Sequence, residues 1–298
     1  QLRKLGTCVD WSISRFTLDK GLSNSVNEVF IELFNKGLIY RDKRLINWDP
    51  ILETAVSDLE VNQKNEKGKL WYIKYKILKT KDFISVATTR PETMFGDSAI
   101  AVHPKNKNLK KYIGQKVIVP FSEKIIPVIA DEYADPKKGS GAVKITPAHD
   151  FNDFMVGKKH NLEFVNIFNK NAELNQFVPR KFFGLDRYKA RKKIIELLNK
   201  ESLLEKIEEN DMVVPIGDRS GAVIEPFLTE QWFVDSKKLC ESVKKSIESK
   251  KIMFFPGSWM NTFKYWINNI EPWCISRQIW WGHRIPVWYT EDNQTIPA

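Results

Sequence analysis

VATTRPETMFGD, residues 86–97, places a dense group of polar side chains directly after an apolar run. The residues just before them, Phe83 to Ala87, are mostly apolar and predict a buried strand. Pro91 fixes its own φ angle and favours an extended Arg90, which makes this turn stiff. We therefore predict a rigid polar shelf, residues 88–97, at the end of the strand. The side chains that give the shelf its chemistry are Thr88, Thr89, Arg90, Glu92 and Thr93.

A second stretch, GSGAVKITPAHDFND at residues 139–153, has the same design. A glycine turn leads into a short apolar strand that carries a lysine and ends in Thr-Pro. The polar side chains of this stretch are Lys144, Thr146, His149, Asp150 and Asp153. Two strands that end in this way are able to face each other across one pocket. They are equally able to be ordinary strand-to-turn junctions, where Thr, Pro, Asp and Gly are common, so local chemistry leaves both interpretations open.

The two stretches together resemble the amino-acid editing domain of class I aminoacyl-tRNA synthetases. The Arg-Pro-Glu-Thr form at residues 90–93 is similar to the valyl branch of that family, whereas isoleucyl relatives typically carry Thr-Pro-Trp-Thr there. Further motifs that resemble the family follow in the same order along the chain. They are LGTCVDWS at 5–12, RLINWDP at 44–50, SDLEV at 57–61, IEPFLTEQWFV at 224–234 and WCISRQIWWGHRIPVWY at 273–289.

The resemblance implies post-transfer editing by a valyl-type synthetase, in which the ester of mischarged threonyl-tRNA(Val) is hydrolysed. It implies catalytic roles for Thr88, Arg90, Thr93, Lys144, Thr146 and Asp153, and substrate-binding roles for Thr89, Glu92, His149 and Asp150. We expect Asp153 to bind the substrate α-ammonium and Arg90 to reach a ribose or phosphate oxygen. For Asp150, recognition of the threonine hydroxyl and capping of a helix are both open. A rival function is a tRNA-binding module without hydrolytic activity.

The expected chemistry needs no cofactor, because side chains and backbone amides can orient a water molecule and stabilise the oxyanion. A metal is not expected either, since the turn at Gly217 and Asp218 lacks the Cys or His that many relatives carry there. The ATP-binding signatures His-Ile-Gly-His and Lys-Met-Ser-Lys-Ser are absent from the sequence. We therefore expect a fragment, with ATP needed only by the full-length aminoacyl-tRNA ligase.

Composition is that of an ordinary globular chain of 298 residues, with 42% hydrophobic and 28% charged residues. The absence of a long apolar run or a signal-peptide pattern leads us to expect a cytoplasmic protein without membrane attachment, and the resemblance implies a monomer. The cysteines Cys8, Cys240 and Cys274 have no disulfide or zinc spacing, so we expect free thiols.

A formal net charge of +10 suits a polyanionic partner, which the resemblance identifies as the acceptor end of tRNA(Val) with its threonyl or valyl ester. Two basic surfaces are candidates for phosphate contact, although for the first the more ordinary interpretation is a solvated surface. The first comprises Lys105, Lys107, Lys110, Lys111 and Lys116, and the second is the basic face of a predicted helix, Asp186 to Asn199.

The pattern of strands and helices predicts an α+β fold, a β-barrel-like editing domain with peripheral helices, plus helical and ribbon connectors. We assign residues 1–58 to a connector helix and ribbon, 59–216 to the editing domain, and 217–298 to a return ribbon and the start of the second half of the catalytic domain. Residues 62–69 are predicted to be a loop, after which Trp71 to Ile77 forms a strand that pairs with Phe83 to Ala87. The tryptophans between residues 259 and 288 predict a hydrophobic surface that packs in the complete enzyme, rather than a base-stacking platform.

Overall fold

In the computed structural model, which describes residues 1–292 and 294–298, the chain divides into two units. The smaller unit comprises residues 1–42 and 230–298, and the larger unit comprises residues 43–229. The α-helices are α1 (Lys20–Asn35), α2 (Phe151–Lys159), α3 (Arg187–Lys200), α4 (Ser236–Glu248) and α5 (Trp259–Asn268). The strands are β1 (Ile39–Asp49), β2 (Thr54–Ala55), β3 (Val61–Ile77), β4 (Phe83–Thr88), β5 (Ala99–Val102), β6 (Lys116–Ile118), β7 (Ile125–Ala130), β8 (Ala142–Ile145), β9 (Leu204–Gly217), β10 (Glu225–Val234), β11 (Trp273–Cys274), β12 (Val287–Tyr289) and β13 (Thr295–Pro297).

The larger unit is built on a curled sheet of seven strands in the order β4-β3-β6-β7-β5-β8, with β9 paired to β3. Strand β3 runs antiparallel to β4 from the pair Trp71↔Thr88 to the pair Lys76↔Phe83, which confirms the predicted hairpin. Strands β5 and β7 run parallel, whereas β5 and β8 run antiparallel. Because α2 and α3 accompany this mainly antiparallel sheet, the predicted α+β class is confirmed.

Helix α3 packs on the sheet through Ala190, Ile194 and Leu198, which recur every four residues and are fully buried. They join a core formed by residues such as Tyr75 and Ile100 of the sheet. Burial of an isoleucine or leucine side chain contributes about 1.5 to 3 kcal/mol, so this face fixes the rotation of α3. This rotation in turn sets the direction of the side chains on the face of α3 that lies beside the buried one.

The prediction of a loop at residues 62–69 is wrong, because these residues belong to β3. They pair with β9 in a continuous antiparallel register from Val61↔Gly217 to Tyr72↔Lys206. Most side chains of this segment are exposed, so it lacks the alternation of apolar and polar residues that marks a half-buried strand. The ladder of backbone hydrogen bonds holds it extended instead. The predicted editing domain, 59–216, falls inside the larger unit, and its bounds stay a prediction.

The smaller unit has a modest core in which Phe30 of α1 packs edge-on against Trp232 at a ring distance of 5.9 Å. Helix α1 begins after Asp19, whose carboxylate accepts the backbone N–H of Leu22 at 2.8 Å. The large tryptophans of its C-terminal part are exposed, and Trp280 lies fully in solvent. The three cysteines are free thiols, as predicted. None of the helices in the described residues combines the length and apolar composition that a membrane span requires.

Candidate active site

The polar shelf and the second stretch meet in the larger unit. After β4, residues Pro91–Gly96 form a buried 3₁₀ helix, and Pro91 stands at its first position, where a missing N–H costs nothing. The shelf then leads into β5, which pairs with β8 through Ala99↔Ile145 and Ile100↔Lys144. This pairing brings the end of the shelf beside the Thr-Pro end of β8.

A buried hydrogen-bond network forms where they meet, and we call it the Lys144 network. The ammonium of Lys144 donates to Thr93 Oγ1 at 2.9 Å, Asp97 Oδ1 at 2.9 Å and Thr146 Oγ1 at 2.5 Å. Asp97 also accepts the hydroxyls of Thr146, at 2.7 Å, and Tyr75, at 2.7 Å. An ammonium has three N–H donors, so all of those on Lys144 are in use. The network holds the two threonine hydroxyls in place and leaves each with a free lone pair.

Asp153 lies next to this network, in the first turn of α2. Its Oδ2 accepts the backbone N–H of Thr146 at 2.8 Å, and only 6% of the residue is exposed. Burial, together with the negative charge of Asp150, raises the pKa of Asp153 to about 7. Asp150 is exposed and caps α2, since its Oδ1 accepts the N–H groups of Asn152 at 2.8 Å and Asp153 at 3.0 Å. The cap is therefore confirmed, and a substrate role for Asp150 stays a prediction.

A row of alternating charges borders the shelf in the order Arg187, Glu225, Arg90, Glu92, Arg191, and we call it the charge row. Glu92 is fully buried and accepts Arg191 through two bonds of 2.7 and 2.6 Å, while Arg90 Nε lies 3.5 Å from it. Burial opposes ionisation of Glu92, but the hydrogen bond and charge of Arg191 outweigh it and lower the pKa of Glu92. Glu225 accepts Arg90 on one side and Arg187, at 2.5 Å, on the other. The row carries three positive and two negative charges, so a guanidinium is left without its own carboxylate.

The other predicted site residues either bond to the backbone around the site or lie nearer the surface. Thr88 Oγ1 accepts the backbone N–H of Arg90 at 3.0 Å, which fixes the bend of the shelf. His149 is buried, its Nε2 accepts the N–H of Ile167 at 3.0 Å, and burial followed by the charges of Arg90 and Lys144 places its pKa well below the ordinary value. A neutral, enclosed imidazole is a poor general base. Thr89 is half-buried, and its substrate-binding role stays a prediction.

The sequence model of the family described as tRNA synthetases class I (I, L, M and V) matches residues 1–298. The chain belongs to this family. It is 55% identical to the valine-tRNA ligase of Pelagibacter ubique (strain HTCC1062) over 298 residues, which cover 100% of this chain and 34% of that relative. It is 51% identical to the valine-tRNA ligase of Caulobacter vibrioides (strain ATCC 19089 / CIP 103742 / CB 15) over 313 residues, covering 98% of this chain and 34% of that relative.

A solved structure titled as the ternary complex of Agrobacterium radiobacter K84 agnB2 LeuRS with tRNA and LeuAMS aligns with 99% of the chain and 38% of its own, at 17% identity and a TM-score of 0.38. The chain spans about a third of the length of the curated relatives it matches. The resemblance inferred from the two stretches is confirmed, including its valyl branch among the relatives.

The charge row of this synthetase chain corrects one sequence prediction. The basic face of α3 was a candidate for phosphate contact, but Arg187 is buried against Glu225 and Arg191 is bound to Glu92. Charge pattern alone cannot separate a solvated arginine from one that meets a distant buried acid. The lysines at 189 and 192 of α3 are exposed, as are all members of the first basic surface, so phosphate contact there stays a prediction.

Sequence reasoning also missed three acceptors or donors of the site, namely Asp97, Tyr75 and Glu225. Asp97 closes the quoted shelf, and Glu225 lies inside the IEPFLTEQWFV motif, so both stood in segments that resemble the family. Nothing local marks Tyr75, which belongs to the set of apolar residues that alternate with lysines along this part of β3. Within residues 1–292 and 294–298, no three His, Cys, Asp or Glu side chains come together in a way that could hold a metal ion. That editing needs no metal or cofactor stays a prediction.

Proposed function

We propose that this chain is part of a valine-tRNA ligase and that its larger unit hydrolyses the ester of mischarged threonyl-tRNA(Val). The observation that carries the proposal is the convergence of the shelf and the second stretch on the Lys144 network, with the buried carboxylate of Asp153 beside it. The 55% identity to a valine-tRNA ligase supports the choice of amino acid and tRNA.

The need for such a site follows from the shapes of valine and threonine. The two side chains are nearly isosteric, and the apolar synthetic site of valine-specific synthetases is known to reject threonine by only about a hundredfold. A second site that binds the hydroxyl through polar groups favours threonine over valine. Valine would leave those groups unpaired, at a cost of about 1 to 3 kcal/mol.

In this proposal the Asp153 carboxylate binds the α-ammonium of the aminoacyl ester and so fixes its position. The remaining lone pairs of Thr93 and Thr146 accept the threonine hydroxyl or orient the attacking water. Arg90 contacts a ribose or phosphate oxygen of the terminal nucleotide. Water bonds to the carbonyl carbon, the bond to the ribose oxygen breaks, and that oxygen takes a proton derived from the water, which releases threonine and tRNA(Val).

A deacylation assay tests the proposal directly. Purified chain is incubated with threonyl-tRNA(Val) and with valyl-tRNA(Val), and loss of each ester is followed against buffer alone. We expect much faster loss of the threonyl ester, and loss of most of that activity in a folded Asp153→Ala variant. An intact threonyl ester in the presence of bound tRNA would instead favour the alternative, a binding module without hydrolytic activity.

The activity of the longer protein is also a proposal. A complete enzyme of this kind would join valine to tRNA(Val) with ATP, whose binding signatures this sequence lacks. We further propose a cytoplasmic monomer. Gel filtration of the purified protein, alone and with tRNA(Val), checks the monomeric state.

A further inference from the structure

Glu225 is a carboxylate enclosed between two guanidinium groups. Only 2% of the residue is exposed, and it is the first residue of β10. One oxygen accepts Nη2 of Arg90, and the other accepts Nη1 of Arg187 at 2.5 Å. Arg187 is itself fixed, because its Nη2 donates to the carbonyl oxygen of Val223 at 2.8 Å. Glu225 therefore ties Arg90 to a rigid partner on α3.

The Arg90 guanidinium is held on its other edges as well. Its Nη1 donates to the carbonyl oxygen of His149 at 3.1 Å, and its Nε lies 3.5 Å from Glu92 Oε1. About a quarter of the side chain, 26%, remains exposed. A guanidinium has five N–H donors, so donors remain for a substrate oxygen after these contacts. The direction in which they point is set by the groups that hold the others.

The charges of the row indicate what happens without Glu225. Its carboxylate separates Arg90 from Arg187, two like charges in a partly buried setting. An amide at this position keeps the size of the side chain but removes the negative charge. Arg90 and Arg187 would then repel each other across a neutral group, and Arg90, which is the more exposed of the two, would move.

We propose that Glu225 is a positioning residue of the hydrolytic site, which acts by holding the Arg90 guanidinium in the orientation that contacts the ester-bearing nucleotide. This inference rests on the proposed function. Displacement of a substrate-orienting group by about 1 Å is enough to cost on the order of a hundredfold in rate. Because Arg90 is assigned to the ribose or phosphate, which both esters share, loss of Glu225 should slow threonyl and valyl esters alike.

The test is a double-mutant cycle measured by single-turnover hydrolysis of threonyl-tRNA(Val), with the wild type, Glu225→Gln, Arg90→Lys and the double variant. We expect Glu225→Gln to lower the rate by about 10- to 100-fold. We expect the double variant to match Arg90→Lys within about twofold, because Glu225 acts through Arg90 and its loss costs nothing further once Arg90 is replaced, whereas the losses at two independent sites would multiply. Glu230→Gln is the matched control, because Glu230 lies on the same strand but forms an exposed ion pair with Arg41, and it should leave the rate unchanged.

Thermal unfolding accompanies each variant. If Glu225→Gln fails to fold, Glu225→Asp replaces it, because aspartate keeps the charge but is one methylene shorter, and a partial rate loss that vanishes in the Arg90→Lys background is then expected. Rate losses that multiply in the double variant, or an unchanged rate in folded Glu225→Gln, would overturn the positioning role while leaving the editing proposal intact. A wild-type chain that leaves the threonyl ester untouched would instead overturn the proposed function and this role with it.

Discussion

Replacing Asp153 by asparagine should make the chain more stable above pH 7 and less active as a hydrolase. The Asp153 carboxylate is buried, accepts one backbone N–H from Thr146 and has Asp150 nearby. Burial and then the charge of Asp150 raise its pKa from 3.8 to about 7. The folded state therefore favours the protonated form. Its contribution to stability is fully present below about pH 4 and is lost as the pH rises through about 7.

The size of the effect follows from that shift. A difference of about three pKa units corresponds to about 4 kcal/mol in the free energy of unfolding, which is the upper limit of what ionisation of Asp153 costs. Asparagine keeps the oxygen that accepts the N–H of Thr146 but never ionises. We expect wild type and Asp153→Asn to be nearly equal in stability at pH 4 and to differ by up to about 4 kcal/mol at pH 8.

Urea unfolding of both proteins at a series of pH values between 4 and 8.5 measures that difference. Asp150→Asn is the matched control, because asparagine still caps α2 while removing the charge that raises the pKa of Asp153. It should shift the wild-type transition towards lower pH. In the hydrolysis assay, the wild-type rate should rise with an apparent pKa near 7 as Asp153 ionises, and Asp153→Asn should lack this limb. A stability difference that stays constant across the pH range would refute the reasoning.

Lys144→Met should lower the free energy of unfolding by about 3 to 5 kcal/mol, because it leaves the Asp97 charge buried without its cation, and the double variant with Asp97→Asn should recover part of the loss in urea unfolding. Equal losses in the single and double variants would contradict this. Thr93→Val should lower the ratio of the threonyl to the valyl ester hydrolysis rate by a factor that corresponds to about 1 kcal/mol or more. An unchanged ratio would show that Thr93 does not recognise the threonine hydroxyl. The double substitution Lys110→Glu and Lys111→Glu should weaken tRNA binding. It should also reduce the slope of log K against log salt concentration by about one unit for each phosphate contact that is lost. An unaltered slope would show that these lysines form a solvated surface.

Elements with local signals could be predicted from the sequence. Asp19, Asp150 and Asp186 each precede a helix and each accepts backbone N–H groups of its first turn. Strand β3 was predicted only where one face is buried, from Trp71 onwards. Its first half was missed because a two-stranded ribbon in solvent leaves no hydrophobic period in either strand.

The site could be predicted only in part, for a physical reason. The shelf and the second stretch were expected to meet because each ends a strand in the same chemistry, and both belong to segments that resemble the family. The charge row escaped prediction because its partners lie far apart in the chain: Arg191 binds Glu92 across 99 positions. The spacing of arginines along α3 is the same whether they face solvent or a buried carboxylate. Only the tertiary packing therefore decides which partner an arginine has.

The internal bonding of Thr93 decides how its substitution must be interpreted. Its hydroxyl donates to the carbonyl oxygen of Arg90 at 2.9 Å and accepts from Lys144 at 2.9 Å, so it has one lone pair to offer a threonine hydroxyl and no proton. Valine removes that lone pair and also one of the three acceptors of Lys144, and the second loss should slow both esters. Serine keeps the hydroxyl and both internal bonds. If the lone pair selects threonine, Thr93→Ser should preserve the ratio of the two rates while Thr93→Val narrows it, and a ratio that narrows equally in both variants would assign Thr93 to support of the Lys144 network alone.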